Sequence, residues 1–145
     1  MFKRIILPIN KTNKSLKIAK KAVKLAKKLE IKVTAIYTIN PTVFTGTMPS
    51  HQAYAYKYHK DIKNGKKEKA HEFLNKIEKI GDEKNVSVQT ILVEGNSENK
   101  VIDEANENDL IIIGAKGTST IDRIFLSSLN EKLLHNAPST VMIFR

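Results

Sequence analysis

An apolar run, Ile111-Ile112-Ile113, stops at Gly114, and Ala115-Lys116-Gly117 follow. Nine residues later come Ser127 and Ser128, at the head of a helical pattern. A buried strand that opens into a glycine-containing turn frees backbone N–H groups at the carboxyl edge of a sheet. Such concavities bind phosphate or other anions. Gly114 and Gly117 let the backbone approach a phosphate closely, and Lys116 can neutralise its charge. Ser128 with Glu131 also reads as a capping box, Ser-x-x-Glu, which needs no ligand but leaves an anion site at the helix start. The first apolar segment ends in a second such loop, Pro8-Ile9-Asn10-Lys11, where Asn10 can hydrogen-bond a ribose or a base edge.

Catalytic spacing is absent elsewhere. His51, His59, His71 and His135 do not make a metal-ligand pattern, and no carboxylate pair stands out as acid and base. Gly117-Thr118-Ser119-Thr120 lacks the second glycine of a nucleophile elbow. The phosphate fingerprints G-x-x-x-x-G-K-[ST] and G-x-G-x-x-G do not occur. No cysteine is present, which excludes disulfides, thiolate catalysis and cysteine-held metals. No catalytic residue and no metal site are assigned.

These loops need a scaffold to place them. Phe2 to Ile9 reads as a short buried strand. Ser15 is expected to cap a helix to about Glu30, with Leu16, Ala19, Val23 and Ala26 beside Ile18, Ala22, Leu25 and Leu29 as a wide apolar face. Ile31–Ile39 alternates and is β-branched, so it reads as a strand. Asn40 to about Tyr56 carries Pro41, Gly46 and Pro49 and reads as a long loop. Tyr54, Tyr56 and Tyr58 are expected to pack that region onto the fold. A charged helix should run from about Lys57 to Asn85, with Phe73, Leu74, Ile77 and Ile80 as its stripe and Gly65 weakening or interrupting it. Then follow a strand Val86–Val93, a helix capped by Ser97, a strand Leu110–Ile113, a helix from about Ile121 to Asn136, and a strand Thr140–Phe144. Strands alternating with helices imply an α/β fold, one parallel sheet with helices on both faces. At 145 residues, one domain is expected.

Charge is uneven. Residues 1–85 carry 20 Lys+Arg against 7 Asp+Glu, and residues 86–145 carry 5 against 8. A basic half raises the question of nucleic acid or membrane. Of 25 basic residues 22 are lysine, which disfavours specific nucleic-acid reading, since arginine is the better bidentate partner of phosphate and guanine. No segment reaches the ~20 apolar residues that span a bilayer, and the apolar start is too short for a signal peptide. A cytoplasmic protein without a membrane partner is expected.

The whole chain resembles a universal stress protein. The resemblance rests on the opening Ile-Ile-Leu-Pro strand, the turn Val93-Glu94-Gly95-Asn96, the strand Asp109–Gly114, the closing segment Ala137–Ile143 and the order of elements. It implies a five-stranded doubly wound sheet in the order 3-2-1-4-5, of the adenine-nucleotide alpha-hydrolase-like kind. ATP-binding members show G-x-x-G, nine residues, then G-[ST]. This chain keeps Gly114, Gly117, the spacer and Ser128, with Ser127 where that motif has glycine and Asn10 where binding members have aspartate. By resemblance, Thr38 and the Ile9–Asn10 turn would hold adenine and ribose. Gly114, Lys116, Gly117, Ser127 and Ser128 would surround the phosphates of ATP, with Mg²⁺. Hydrolysis, if any, would be slow, so the chain is read as a sensor or regulator and not an enzyme. The resemblance also implies a homodimer through Thr140–Phe144, which would cover an apolar edge strand. The alternatives are a dimeric protein-interaction module without nucleotide and a nonspecific polyanion binder.

Overall fold

A computed structural model describes residues 1–10, 13–39, 52–115 and 128–145, with only the backbone described over 52–63 and 128–130. The elements are β1 (Arg4–Ile9), α1 (Asn13–Leu29), β2 (Lys32–Ile39), α2 (Gln52–Lys84), β3 (Val88–Glu94), α3 (Ser97–Glu104), β4 (Asp109–Gly114), α4 (Ser128–Asn136) and β5 (Thr140–Phe144). All strand pairs are parallel, and the sheet order is β3-β2-β1-β4-β5, as the resemblance implies.

The strands are apolar along their length because both faces of the sheet are covered. Successive side chains alternate between the two helical layers. Ile5, Leu7, Val33, Ala35, Leu110 and Ile112 pack with α1 and α2, including Ala19, Ala22, Val23, Phe73 and Ile77. Ile6, Ile36, Ile111 and Ile113 pack on the other face with Val101 of α3 and Leu133 of α4. Alanines on the buried side of α1 let that helix sit close to the sheet.

Four local expectations need correction. α1 begins at Asn13, and Ser15 lies inside its first turn instead of capping it, because its hydroxyl is taken by Asn10 at the end of β1. α3 is capped by Asn96 and not Ser97: the Asn96 side chain accepts the Asn99 N–H at 3.1 Å from an extended backbone. α2 begins at Gln52, so the stretch expected to be loop is helical over 52–56, where Ala53 and Ala55 favour helix; residues 40–51 and the three tyrosine side chains lie outside the described residues. Gly65 does not interrupt α2 either. A Cβ built there would meet nothing within 4 Å, so the position is an ordinary helical site. The start expected for the last helix, 121–127, lies outside the described residues.

The glycine that α2 requires is Gly81. A Cβ there would strike the Val88 side chain and come within 2.8 Å of the Val86 carbonyl oxygen, backbone that cannot step aside. At this point α2 ends: Val86 N–H bonds Gly81 O at 3.0 Å while Asn85 takes the left-handed conformation.

At the amino edge of the sheet, Arg4 joins β1 to β4. Its Nη2 donates to Asp109 Oδ2 at 2.6 Å and its Nε to Asp109 Oδ1 at 3.0 Å, a two-pronged pair. Nη1 donates to Glu104 Oε1 at 2.8 Å. Asn106 N–H gives Asp109 a further bond at 2.9 Å. Burial pushes the Asp109 carboxyl up, but the Arg4 hydrogen bonds, the Asn106 N–H and the charges of Arg4 and Lys32 outweigh it and hold it below the ordinary value.

Two outcomes follow for stability. Gly81→Ala should lower unfolding free energy by about 1–3 kcal/mol, whereas Gly65→Ala should raise it by roughly 0.5–1 kcal/mol; urea titration of the two variants checks the contrast, and equal effects would refute it. Because the folded carboxyl of Asp109 titrates low, its contribution is complete above the ordinary value near pH 4 and lost as pH falls through the lower folded value. Asp109→Asn should therefore cost about 1–3 kcal/mol at pH 7 and flatten the stability curve below roughly pH 4. A variant that kept the wild-type acid slope would show that the clip contributes little.

Candidate functional site

The crevice begins where two strands stop pairing. β1 is registered with β4 from Arg4 opposite Asp109 to Ile6 opposite Ile111, and there that ladder ends. β1 stays registered with β2 as far as Ile9 opposite Tyr37, and β4 with β5 as far as Gly114 opposite Phe144. The carboxyl halves of β1 and β4 are thus each held by the outer neighbour and no longer by one another. Chain direction also reverses here: β1 leads outward through α1 to β2, and β4 leads the other way through α4 to β5. Ligands of open α/β sheets bind at this kind of switch point.

Ile9 is the last residue of β1 and is buried; Asn10 follows it, exposed at the mouth. The Asn10 backbone N–H donates to Ser15 Oγ at 3.1 Å, and Ser15 Oγ donates to Asn10 Oδ1 at 2.8 Å. This reciprocal pair ties the end of β1 to the first turn of α1. Gly114 ends β4 across the crevice from Asn10. The missing side chain there makes room for α1: a Cβ would collide with Ile18 Cδ1. Close helix packing therefore accounts for glycine at this position, whatever else the turn does. Ala115 N–H bonds Phe144 O at 2.8 Å, which fixes the chain as it leaves β4.

Thr38 lies near the end of β2, on the same face as Ile36 and so toward the α3 and α4 layer. Its Oγ1 is buried and has no hydrogen-bond partner among the described residues. Ser128 is the first residue of α4, with only its backbone described. Lys116, Gly117 and Ser127 lie outside the described residues. The structure thus places Ile9, Asn10, Thr38 and Gly114 along one edge, at the ends of three adjacent strands.

One residue that sequence reading missed is Lys14. It is exposed in the first turn of α1, and its Cε comes within 3.7 Å of a Cβ position at Gly114. A cation in the first turn is opposed by the helix dipole, and no acidic residue accompanies it there. That misplacement was a readable signal, but only the packing of α1 over β4 shows where the ammonium sits. A second cluster overlooked in the sequence, Arg4 with Glu104 and Asp109, is at the opposite edge and serves the fold.

Comparison with known proteins agrees with this fold. The model of the universal stress protein family matches residues 1–145. The universal stress protein MJ0531 of Methanocaldococcus jannaschii is 30% identical over 147 residues, covering 100% of this chain and 83% of that protein. Among solved structures, the hypothetical protein MJ0577 superposes with a TM-score of 0.73 at 23% identity, covering 100% of this chain and 98% of that one. A universal stress protein from Archaeoglobus fulgidus, solved in complex with dAMP, gives a TM-score of 0.61 at 13% identity over 100% and 98% of the two chains. Another universal stress protein, solved in complex with cAMP, gives 0.60 at 15% identity over 99% and 97%. With a family match along its entire length and the same doubly wound sheet, this chain belongs to the universal stress protein family.

Proposed function

We propose that this chain binds an adenine nucleotide, ATP with Mg²⁺ foremost, in the crevice between the carboxyl ends of β1 and β4, and acts as a cytoplasmic stress-response sensor or regulator. The observation that carries the reading is the end of β1–β4 pairing at Ile6 and Ile111, which opens the sheet at its switch point. The residues around that opening suit a nucleotide. Thr38 offers a buried hydroxyl with no partner among the described residues, and a base or ribose lying over the end of β2 would satisfy it. Ile9 and Asn10 would flank the ribose. Lys14 supplies positive charge beside Gly114, and Lys116, Gly117, Ser127 and Ser128 would complete the phosphate end. Two relatives of the same fold are solved with dAMP and cAMP, which supports the class of ligand. In this reading the protein's own groups bind and orient the nucleotide.

A second reading has one observation in its favour. Asn10 stands where nucleotide-binding members have aspartate, and its Oδ1 already accepts from Ser15. A site that has given up its ribose acceptor would leave a dimeric protein-interaction module.

β5 supports the homodimer. Among the described residues it pairs with β4 alone, with Thr140 exposed and Val141, Met142, Ile143 and Phe144 each half-buried. Pairing this edge with its twin about a twofold axis would cover it.

Calorimetric titration of ATP with Mg²⁺ into the purified protein, after a denaturing extract of a separate sample has been checked for carried-over nucleotide, should give one site per chain. Asn10→Ala and Gly117→Asp should each weaken it at least tenfold, about 1.4 kcal/mol. No binding and no carried nucleotide would discard the sensor in favour of the interaction module. Light scattering at micromolar concentration should give twice the 16.4 kDa chain mass; a monomer would remove the β5 dimer.

A further inference from the structure

The linear charge asymmetry of the chain becomes a facial one in the fold. α1 and α2 cover the same face of the sheet, and α3 and α4 the other. Both lysine-rich helices are therefore on one side. They are nevertheless different surfaces. α2 has nine lysines and six carboxylates, and from Glu68 to Lys84 its four lysines are interspersed with five carboxylates, so that stretch is locally balanced. α1 has seven lysines and no carboxylate. All seven, Lys14, Lys17, Lys20, Lys21, Lys24, Lys27 and Lys28, are exposed. Among the described residues none pairs with an Asp or Glu side chain; Lys21 alone has another partner, its Nζ donating to the main-chain oxygen of Arg145 at 3.0 Å and lying 5.7 Å from the centre of the Phe144 ring.

The spacing sharpens this. Lys14, Lys17, Lys21, Lys24 and Lys28 step by three and four residues, so they form one stripe. The stripe lies opposite the buried Ala19, Ala22, Val23 and Ala26, at the crest of the helix. It runs for about 21 Å at 1.5 Å per residue. Like charges at these spacings repel by roughly 0.2–0.5 kcal/mol per pair, and an ordinary surface helix relieves them with glutamate. α2 does so and α1 does not. An unrelieved row of cations is what a linear polyanion would neutralise.

We propose that α1 is a docking ridge for the phosphate backbone of double-stranded nucleic acid, bound without sequence preference. A duplex presents about one charge per 1.7 Å of its axis, and release of its counterions drives binding to a row of lysines. Lysine meets phosphates as a point charge and does not read bases in two-pronged fashion, so the contact is electrostatic. An anionic membrane is the weaker match. The apolar side of α1 is sealed in the core, with Ala19, Ala22, Val23 and Ala26 at 0% exposure, so the helix has no apolar face to insert. Lys14, beside Gly114, is shared with the crevice, whereas Lys17, Lys21, Lys24 and Lys28 follow it along α1 and do not depend on nucleotide there.

The test is fluorescence anisotropy of a 20-base-pair DNA duplex, about 68 Å long at ~3.4 Å per base pair and so longer than the ridge, titrated with full-length protein across a range of KCl. Five phosphate contacts predict a slope of log K against log salt of about −4 to −5, with two unrelated sequences equal within about twofold. Lys17→Glu with Lys24→Glu and Lys28→Glu should reduce the slope by about 3 and the low-salt affinity at least tenfold. The same three changed to Gln should fall between, and Lys76→Glu with Lys79→Glu on α2 should change little. Circular dichroism and thermal melting confirm that each variant folds. Salt-independent or undetectable DNA binding at low salt overturns the proposal. So does retention of wild-type binding by the triple Glu variant, or binding to phosphatidylserine vesicles without binding to DNA.

Discussion

Parallel pairing obliges every connection in this sheet to cross back over one of its faces, and crossovers are right-handed. Starting at β1 and moving outward, α1 and α2 must fall on one side. Starting again at β4 and moving the other way, α4 must fall on the other, with α3 carrying the chain between the two edges. The opening between β1 and β4 and the separation of charge between the layers are both consequences of that single constraint. Neither needs a residue dedicated to it.

The same pair of strands is treated differently at its two ends. At the amino edge, Arg4 grips Asp109 from two directions and also reaches Glu104, so β1 and β4 are fastened by charged hydrogen bonds. Asp109 is buried, with 1% exposure, and removing one partner of such a pair leaves an uncompensated charge. At the carboxyl edge, the strands are held instead by β2 and β5 and by α1, which wedges Ile18 against Gly114 and ties Ser15 to Asn10. One end is closed by ions and the other, left open by the topology, is flanked by α1, which gives a fastened base with a mouth above it.

Much of this was legible in the chain. The strands over 4–9, 32–39 and 109–114 announce themselves as apolar β-branched runs because both of their faces are buried, and Phe73, Leu74 and Ile77 fall at helical spacing because only one face of α2 is. Local chemistry misled where two neighbours could do the same job. Ser97 and Asn96 are both good caps, and only the backbone angles at Asn96 choose between them. Ser15 looks like a cap until Asn10 is seen to take its hydroxyl. Gly65 and Gly81 are the same residue in the same helix; what separates them is the approach of Val86 and Val88 from the following turn and strand.

Alternation, periodicity and turn residues are local properties, so the sequence by itself determined the element order, the parallel sheet and the glycine and asparagine at the ends of β4 and β1. Tertiary structure decided what those residues face. Gly114 could have served a ligand alone, but α1 packs against the very space it leaves. Lys14 is one lysine among seven until the helix sets it beside β4. The basic half of the chain is only a composition until the crossovers lay α1 and α2 on one face, because distance in space between charges is not contained in their distance along the chain.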